Sequence, residues 1–534
     1  IQQMSQFSLV SSQSNKPSSG ATISIHQSIQ QLMLSYLLSH LSAKEQEQEV
    51  NAVVDILYDS TNEIIASNDL SRMHTSLIHL SKVLERSIIT SFARGNLTIQ
   101  LGKLYFCMGN SKMAYHYLEK GMAVLASSVS KADLPKKISS MVYLGAVLDE
   151  LSEHEKSKNF LKKAVILYQG QLPQDKEGLA LAYLYLGKTY SQIKEAENSK
   201  KALKQSIALY TQYGKNKEHC MAKASTLIAE TYMYEGDYKQ AEDWFKKNAM
   251  LYLTINKNHP QMLWNALRLG RLYTFTGQYL KAKEVFENGV KILKQQFVDD
   301  SDKLGWNITY LGNVYRSLGL YDQAKQALQE SLALYKKSYG PDHILTAWIE
   351  GYLGWFYCDI GQYKDARICL EKSLIAHKKN YGQNTKRYTS IMHALARTYV
   401  YLDNWEAAEN LFQECLKTYE GQFGKEHTQY ALVLRDYGNF RAIKKDYVQG
   451  ETCLNQAFIV LHKANHADSY RCLEYLGDLQ RQQSQNETDK MQTLHHKTKA
   501  YNYYKQALAF VKTNFSKQSA HMIRIENKLR GKES

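Results

Sequence analysis

The sequence predicts an all-α solenoid of about ten helix-turn-helix repeats with a 42-residue period. Three observations carry this reading. A large apolar residue followed by a small one recurs as Leu101-Gly102, Leu144-Gly145, Leu186-Gly187, Ile228-Ala229, Leu269-Gly270, Leu311-Gly312, Leu353-Gly354, Leu395-Ala396, Tyr437-Gly438 and Leu476-Gly477. The small residues stand 39 to 43 positions apart. Other columns keep the same step, and only 5 prolines interrupt 534 residues that are 44% hydrophobic and 22% charged. A chain of that length exceeds one ordinary core, so an array or several domains is required.

The elements follow in order. Residues 1–45 do not fit the repeat: Phe7-Ser-Leu-Val10 and Ile23-Ser-Ile-His26 read as two short strands about a polar turn, followed by a helix with Ile29, Leu32, Met33, Tyr36, Leu37 and Leu41 on one face. Residues 46–92 form a helical linker or cap, and 93–534 the array. In each repeat a tyrosine often stands three places after the small residue, as in Tyr273, Tyr315 and Tyr399. A glycine often stands seven places after it (Gly109, Gly236, Gly277, Gly319, Gly361), where a left-handed residue ends the first helix. Twelve places on sits another small residue, and four further a large one such as Leu203, Phe286 or Leu370. Small residues mark a close helix crossing and large ones fill the space beside it. Gly340, Gly382 and Gly424 are expected to close second helices, and the polar stretch from Gln480 to Lys497 to form an exposed loop.

This set of columns (Leu-Gly, Tyr, Ala, Phe) closely resembles the tetratricopeptide repeat, and it runs from about residue 93 to 515. The resemblance implies a right-handed superhelix that binds a protein or peptide. The period is longer than the usual 34 residues, and the connectors Tyr339-Gly-Pro-Asp-His343 and Phe423-Gly-Lys-Glu-His427 resemble those of the kinesin light chain class. Near the start, Ile25, His26 and Gln30 resemble the end of the winged-helix domain in STAND/NB-ARC signalling NTPases. That likeness implies a ligand-sensing array whose nucleotide-binding module would lie upstream, since no GxxxxGK[ST] loop occurs here. The alternative is a free-standing adaptor or bacterial effector.

Net charge is +15, and the basic excess lies in the repeats. It either keeps a long array soluble or favours an acidic partner. Seven scattered cysteines without a CxxC pair argue against a disulfide framework and suit a reducing cytoplasm. No signal peptide or membrane span is expected, nor is a nucleic-acid partner, because the tyrosines occupy core columns. The oligomeric state is left open.

By the resemblance, the concave wall comes from first-helix columns at −6, −3, +1 and +4 relative to the small residue. The −6 column holds Trp264, Trp306 and Trp348. The +1 column holds Arg271, Asn313, Trp355, Arg397 and Asn439, with Arg316, Arg435 and the flanking Arg268 beside them. Trp and Arg dominate binding hot spots, and Arg grips carboxylates in a bidentate fork. These eleven residues are the candidate groove for an acidic or mixed acidic–apolar peptide; the competing reading has the tryptophans as inter-helix packing and the arginines solvated. Alanine at Arg271, Arg316 and Arg397 is expected to weaken binding without altering stability. No catalytic residue, metal site or cofactor is expected: His343 and His427 recur in register as loop caps, His495-His496 lacks a third ligand, and Cys415 sits in a packing column.

Overall fold

The computed structural model describes residues 10–13, 22–25, 41–67, 70–85, 90–126, 133–214, 218–255, 260–296, 301–382 and 385–531. The chain forms two compact units, Ile1–Cys220 and Met221–Ser534.

The first unit opens with strands β1 (Val10–Gln13) and β2 (Thr22–Ile25), an antiparallel pair in which Val10 faces Ile25. Of the Phe7–Val10 expectation only Val10 lies among the described residues, where it opens β1, and all of the helix expected from Ile29 to Leu41 but Leu41 falls outside them. Helices α1 (Ala43–Ser67) and α2 (Leu70–Leu84) follow, burying Val54, Met73 and Leu80 against Leu97 and Leu101 of α3 (Ser91–Cys107). Three hairpins come next: α3 with α4 (Ser111–Ala126), α5 (Leu134–Glu150) with α6 (His154–Gln171), and α7 (Lys176–Gln192) with α8 (Ala196–Tyr213). α9 (Glu218–Glu235) straddles the unit boundary.

The second unit continues with α10 (Tyr238–Ile255), α11 (Pro260–Phe275), α12 (Tyr279–Gln296), α13 (Ser301–Ser317), α14 (Tyr321–Tyr339), α15 (Ile344–Asp359), α16 (Tyr363–Tyr381), α17 (Lys386–Val400) and α18 (Trp405–Phe423). It ends with α19 (Thr428–Ile443), α20 (Tyr447–Lys463), α21 (Ser469–Asn486), α22 (Lys490–Asn514) and α23 (Ala520–Leu529). Apart from the small β1–β2 pair, the described fold is an all-α array of helical hairpins.

One contact explains the repeat. A Cβ on Gly187 would lie 2.5 Å from Leu203, one on Gly270 2.6 Å from Phe286, and one on Gly354 2.5 Å from Leu370. Each of these glycines therefore admits the large residue of its own second helix, and a side chain added at one of them would push that pair apart. In the last hairpin Gly477 meets Tyr504 instead, at 2.5 Å. The eleven extra residues between these partners are not the loop expected from their polarity. They lengthen α22 to 25 residues, capped by the Asp489 side chain on the Met491 amide. Gln, Lys and Met are strong helix formers, and polarity alone does not make a loop.

The turn between paired helices needs one residue at positive φ. Glycine supplies it at Gly109, Gly236, Gly277, Gly319 and Gly361, whereas Ser152, Lys194, Asp403 and Lys445 hold φ of 66°, 63°, 56° and 63° in the same place. Gly340, Gly382 and Gly424 end α14, α16 and α18 as expected, at φ of 89°, 76° and 83°. His343 and His427 accept from the Leu345 and Gln429 amides as N-caps. A side chain with a Cβ is strained in the left-handed region. Lys194→Gly is therefore expected to stabilise the first unit by roughly 0.5–1 kcal/mol, and Gly361→Ala to destabilise the second by a similar amount, in urea unfolding. A stabilising effect of Gly361→Ala would contradict this account of the turns.

The second unit also closes on itself. Tyr238 Oη lies 3.1 Å from His427 Nε2, and the Gly277 turn is packed so tightly that a Cβ there would meet Ala467 N at 2.6 Å. The Gly319 turn accepts Ala520 N–H at its carbonyl (3.1 Å), while Leu318 O accepts from Ser519 Oγ at 2.7 Å. Three consecutive turns thus meet segments about 190–200 residues later, and the first helices enclose a lumen.

Candidate ligand groove

First helices α11, α13, α15, α17, α19 and α21 contribute to the wall of one cavity of about 310 Å³. Seven of the eleven candidate residues line it: Arg271, Asn313, Arg316, Trp348, Trp355, Arg397 and Arg435. The other four do not. Trp264 is half-buried against the core. Trp306 packs on Trp348 with ring centroids 4.3 Å apart. Arg268 pairs with Glu230 at 2.9 Å. Asn439 lines a second cavity.

The lumen is built from aromatic rings and guanidiniums. Arg271 stands 5.6 Å from the Tyr310 ring centroid, and Arg387 stands 5.1 and 5.3 Å from the Trp306 and Trp348 rings. Among the described residues neither arginine has a carboxylate within ion-pairing distance, and Arg271 is exposed. Cation–π contact alone leaves most of their N–H groups available.

The deeper arginines are committed elsewhere. Asp359, 2% exposed in its side chain, receives a close hydrogen bond from Arg316 and one from Arg397 Nη2 at 3.0 Å. Asp436 accepts from Arg435 at 2.8 and 2.9 Å and lies 2.8 Å from His393 Nε2 and 3.4 Å from Arg397. Asp468 accepts from Arg435 Nη1 at 3.2 Å. Burial alone would raise these carboxyls. The neighbouring arginines overcome it, holding Asp359 and Asp436 far below the carboxylate range and Asp468 at about 2. Arg316 and Arg397 are thus structural. The expectation that their removal leaves stability untouched is corrected, because each holds a carboxylate that has no access to bulk water.

Sequence reasoning missed Arg387, Arg471, Asp359, Asp436 and the Tyr310–Tyr352 pair. Continuing the −6 column to the last hairpin would have found Arg471, and the −2 column contains Tyr310, Tyr352 and Asp436. Their signal was register.

Residues 220–295, 306–379 and 356–421 match the tetratricopeptide repeat family model. Among solved structures, the chain is similar to the apo quorum sensor NprR from B. thuringiensis, at 14% identity over 69% of this chain and 99% of that one, TM-score 0.52. It is also similar to apo RapI, at 12% identity over 68% and 97%, TM-score 0.52. A Podosopora anserina protein of kinesin light chain TPR-like repeats matches 37% of this chain and 94% of its own length, at 20% identity and TM-score 0.30. No curated protein matches in sequence. The described array is therefore of the tetratricopeptide class, and the NprR and RapI likenesses speak to fold alone. Among the described residues no helix is long and apolar enough to cross a membrane.

Asp359→Asn is expected to lower the stability of the second unit by about 3–5 kcal/mol, since it strips the shared partner from buried guanidiniums, whereas Arg271→Gln changes it by less than about 0.5 kcal/mol. Chemical unfolding of the full chain measures both, and equal effects would contradict the division between structural and lumen arginines.

Acid acts on the same unit in two stages. Burial lowers His521 from 6.5 to about 3 and also lowers His393 and His466. Between those pH values the unfolded chain binds protons that the native state does not, so stability falls as pH drops from 6.5 towards 3. The aspartates contribute above their ordinary 3.8 and lose that contribution as pH falls towards 2. His521→Gln is expected to flatten the upper stage in a pH series of thermal melts; an unchanged slope would refute it.

Proposed function

We propose that the second unit is a peptide receptor whose lumen takes an extended, acidic or mixed acidic–apolar segment of a partner protein. The observation that carries this reading is the pair Arg271 and Arg387, two lumen guanidiniums without a carboxylate partner among the described residues, above a shelf of Tyr310, Trp306 and Trp348. Rings offer apolar contact area and free guanidiniums select carboxylates. Binding one chain in such a narrow lumen also excludes water, which strengthens each charged hydrogen bond.

The wider setting proposed is the ligand-sensing region of a STAND-type signalling NTPase in the cytoplasm. Its support is the resemblance at Ile25, His26 and Gln30, and a phosphate loop encoded upstream of Ile1 is the feature that separates it from a free-standing adaptor or effector.

Fluorescence anisotropy of the full chain with labelled decapeptides, graded from four acidic residues to none, tests the receptor reading. Acidic peptides carrying an aromatic residue are expected to bind tightest. The Arg271→Gln, Arg387→Gln double variant is expected to lose roughly 100-fold or more, at about 1.5–3 kcal/mol per charged hydrogen bond and one such bond from each arginine. Binding indifferent to peptide charge, or to both substitutions, would overturn it.

A further inference from the structure

A second cavity of about 470 Å³ lies in the same unit, where the C-terminal ends of α15, α17 and α19 face α21 and α23. Its wall carries five cationic side chains against three carboxylates, Asp359, Glu474 and Asp478. The carboxylates are already satisfied. Glu474 accepts two hydrogen bonds from Arg524 at 2.8 Å each, Lys528 donates to both Asp478 oxygens at 2.7 Å, and Asp359 is held by Arg316 and Arg397.

Three side chains on this wall keep N–H or O–H groups without an acceptor among the described residues. Arg471, with its side chain only 8% exposed, donates Nε–H to the Tyr470 hydroxyl at 3.1 Å. Its Nη1 stands 3.8 Å from Asp359, beyond hydrogen-bond range, and neither Nη group has an acceptor among the described residues. The half-buried Asn439 amide and the Tyr475 hydroxyl line the same cavity and likewise have no hydrogen-bond partner among the described residues. Burial raises the Tyr475 phenol, which therefore stays a donor at neutral pH. A buried guanidinium with idle N–H groups is costly unless something supplies oxygen.

We propose that this cavity binds a small oxyanion, a phosphate or a dicarboxylate, on Arg471, Asn439 and Tyr475. Five cationic side chains against three lining carboxylates set the sign of the ligand. A hydroxyl, an amide and a guanidinium fork together present donors to two or more oxygens at once, which a halide cannot use. Arg471 borders both cavities, whereas Asn439 and Tyr475 border this one and not the peptide groove, so a change at Asn439 separates the site from the receptor reading.

Thermal melts of the full chain in sodium phosphate, sodium succinate and sodium chloride, at equal ionic strength and pH 7.5, test the proposal. A saturable rise in melting temperature is expected with phosphate or succinate over chloride, and whichever gives it names the oxyanion. Asn439→Asp, which places a negative charge in this cavity alone, is expected to weaken the apparent affinity at least tenfold. Arg471→Gln is expected to do the same, and Arg271→Gln, in the groove, to leave it unchanged. Stabilisation that merely follows ionic strength, or that survives Asn439→Asp, would overturn the proposal.

Discussion

The architecture depends on a missing Cβ. Where Gly187, Gly270 or Gly354 crosses its second helix, Leu203, Phe286 or Leu370 occupies the space that a side chain would need. Paired helices then approach closely, each pair buries its apolar faces against the next, and first helices are left facing inwards. The final hairpin keeps the same crossing through Gly477 and Tyr504 even though its second helix starts later. A fixed crossing repeated along the second unit brings the turns at Gly236, Gly277 and Gly319 against residues near 427, 466 and 520, closing the lumen.

Closure has an electrostatic consequence. Arginines that would be solvated on an open concave wall become buried here, and each needs a counter-charge. Asp359, Asp436 and Asp468 provide it for Arg316, Arg397 and Arg435. The pairing is incomplete, because Arg271 and Arg387 have no carboxylate within ion-pairing distance among the described residues and Arg471 has only Asp359, at 3.8 Å. Buried structural pairs contribute rigidity and specificity more than net stability. The unmatched guanidiniums are where a ligand gains.

Features tied to one repeat were legible in the sequence: the crossing column, the glycine turns and the caps at His343 and His427 all lie within a single 42-residue window. The all-α array followed from them. Three things escaped. Partners of Arg316 and Arg397 lie about one repeat away at Asp359, in a column that no apolar pattern marks. Closure joins residues some 190 positions apart, which no local signal encodes. The Gln480–Lys497 segment looked like a loop because polarity was read ahead of helix propensity, and an exposed helix is polar on most faces.

The most direct test of an inward-facing receptor is hydrogen–deuterium exchange on the full chain, with and without a saturating acidic decapeptide. Protection is expected in α11, α13, α15 and α17, the helices that carry Arg271, Tyr310, Trp348 and Arg387, with the second helices of the same hairpins little changed. Protection confined to outer second helices such as α16 and α20, or to the first unit, would contradict the account.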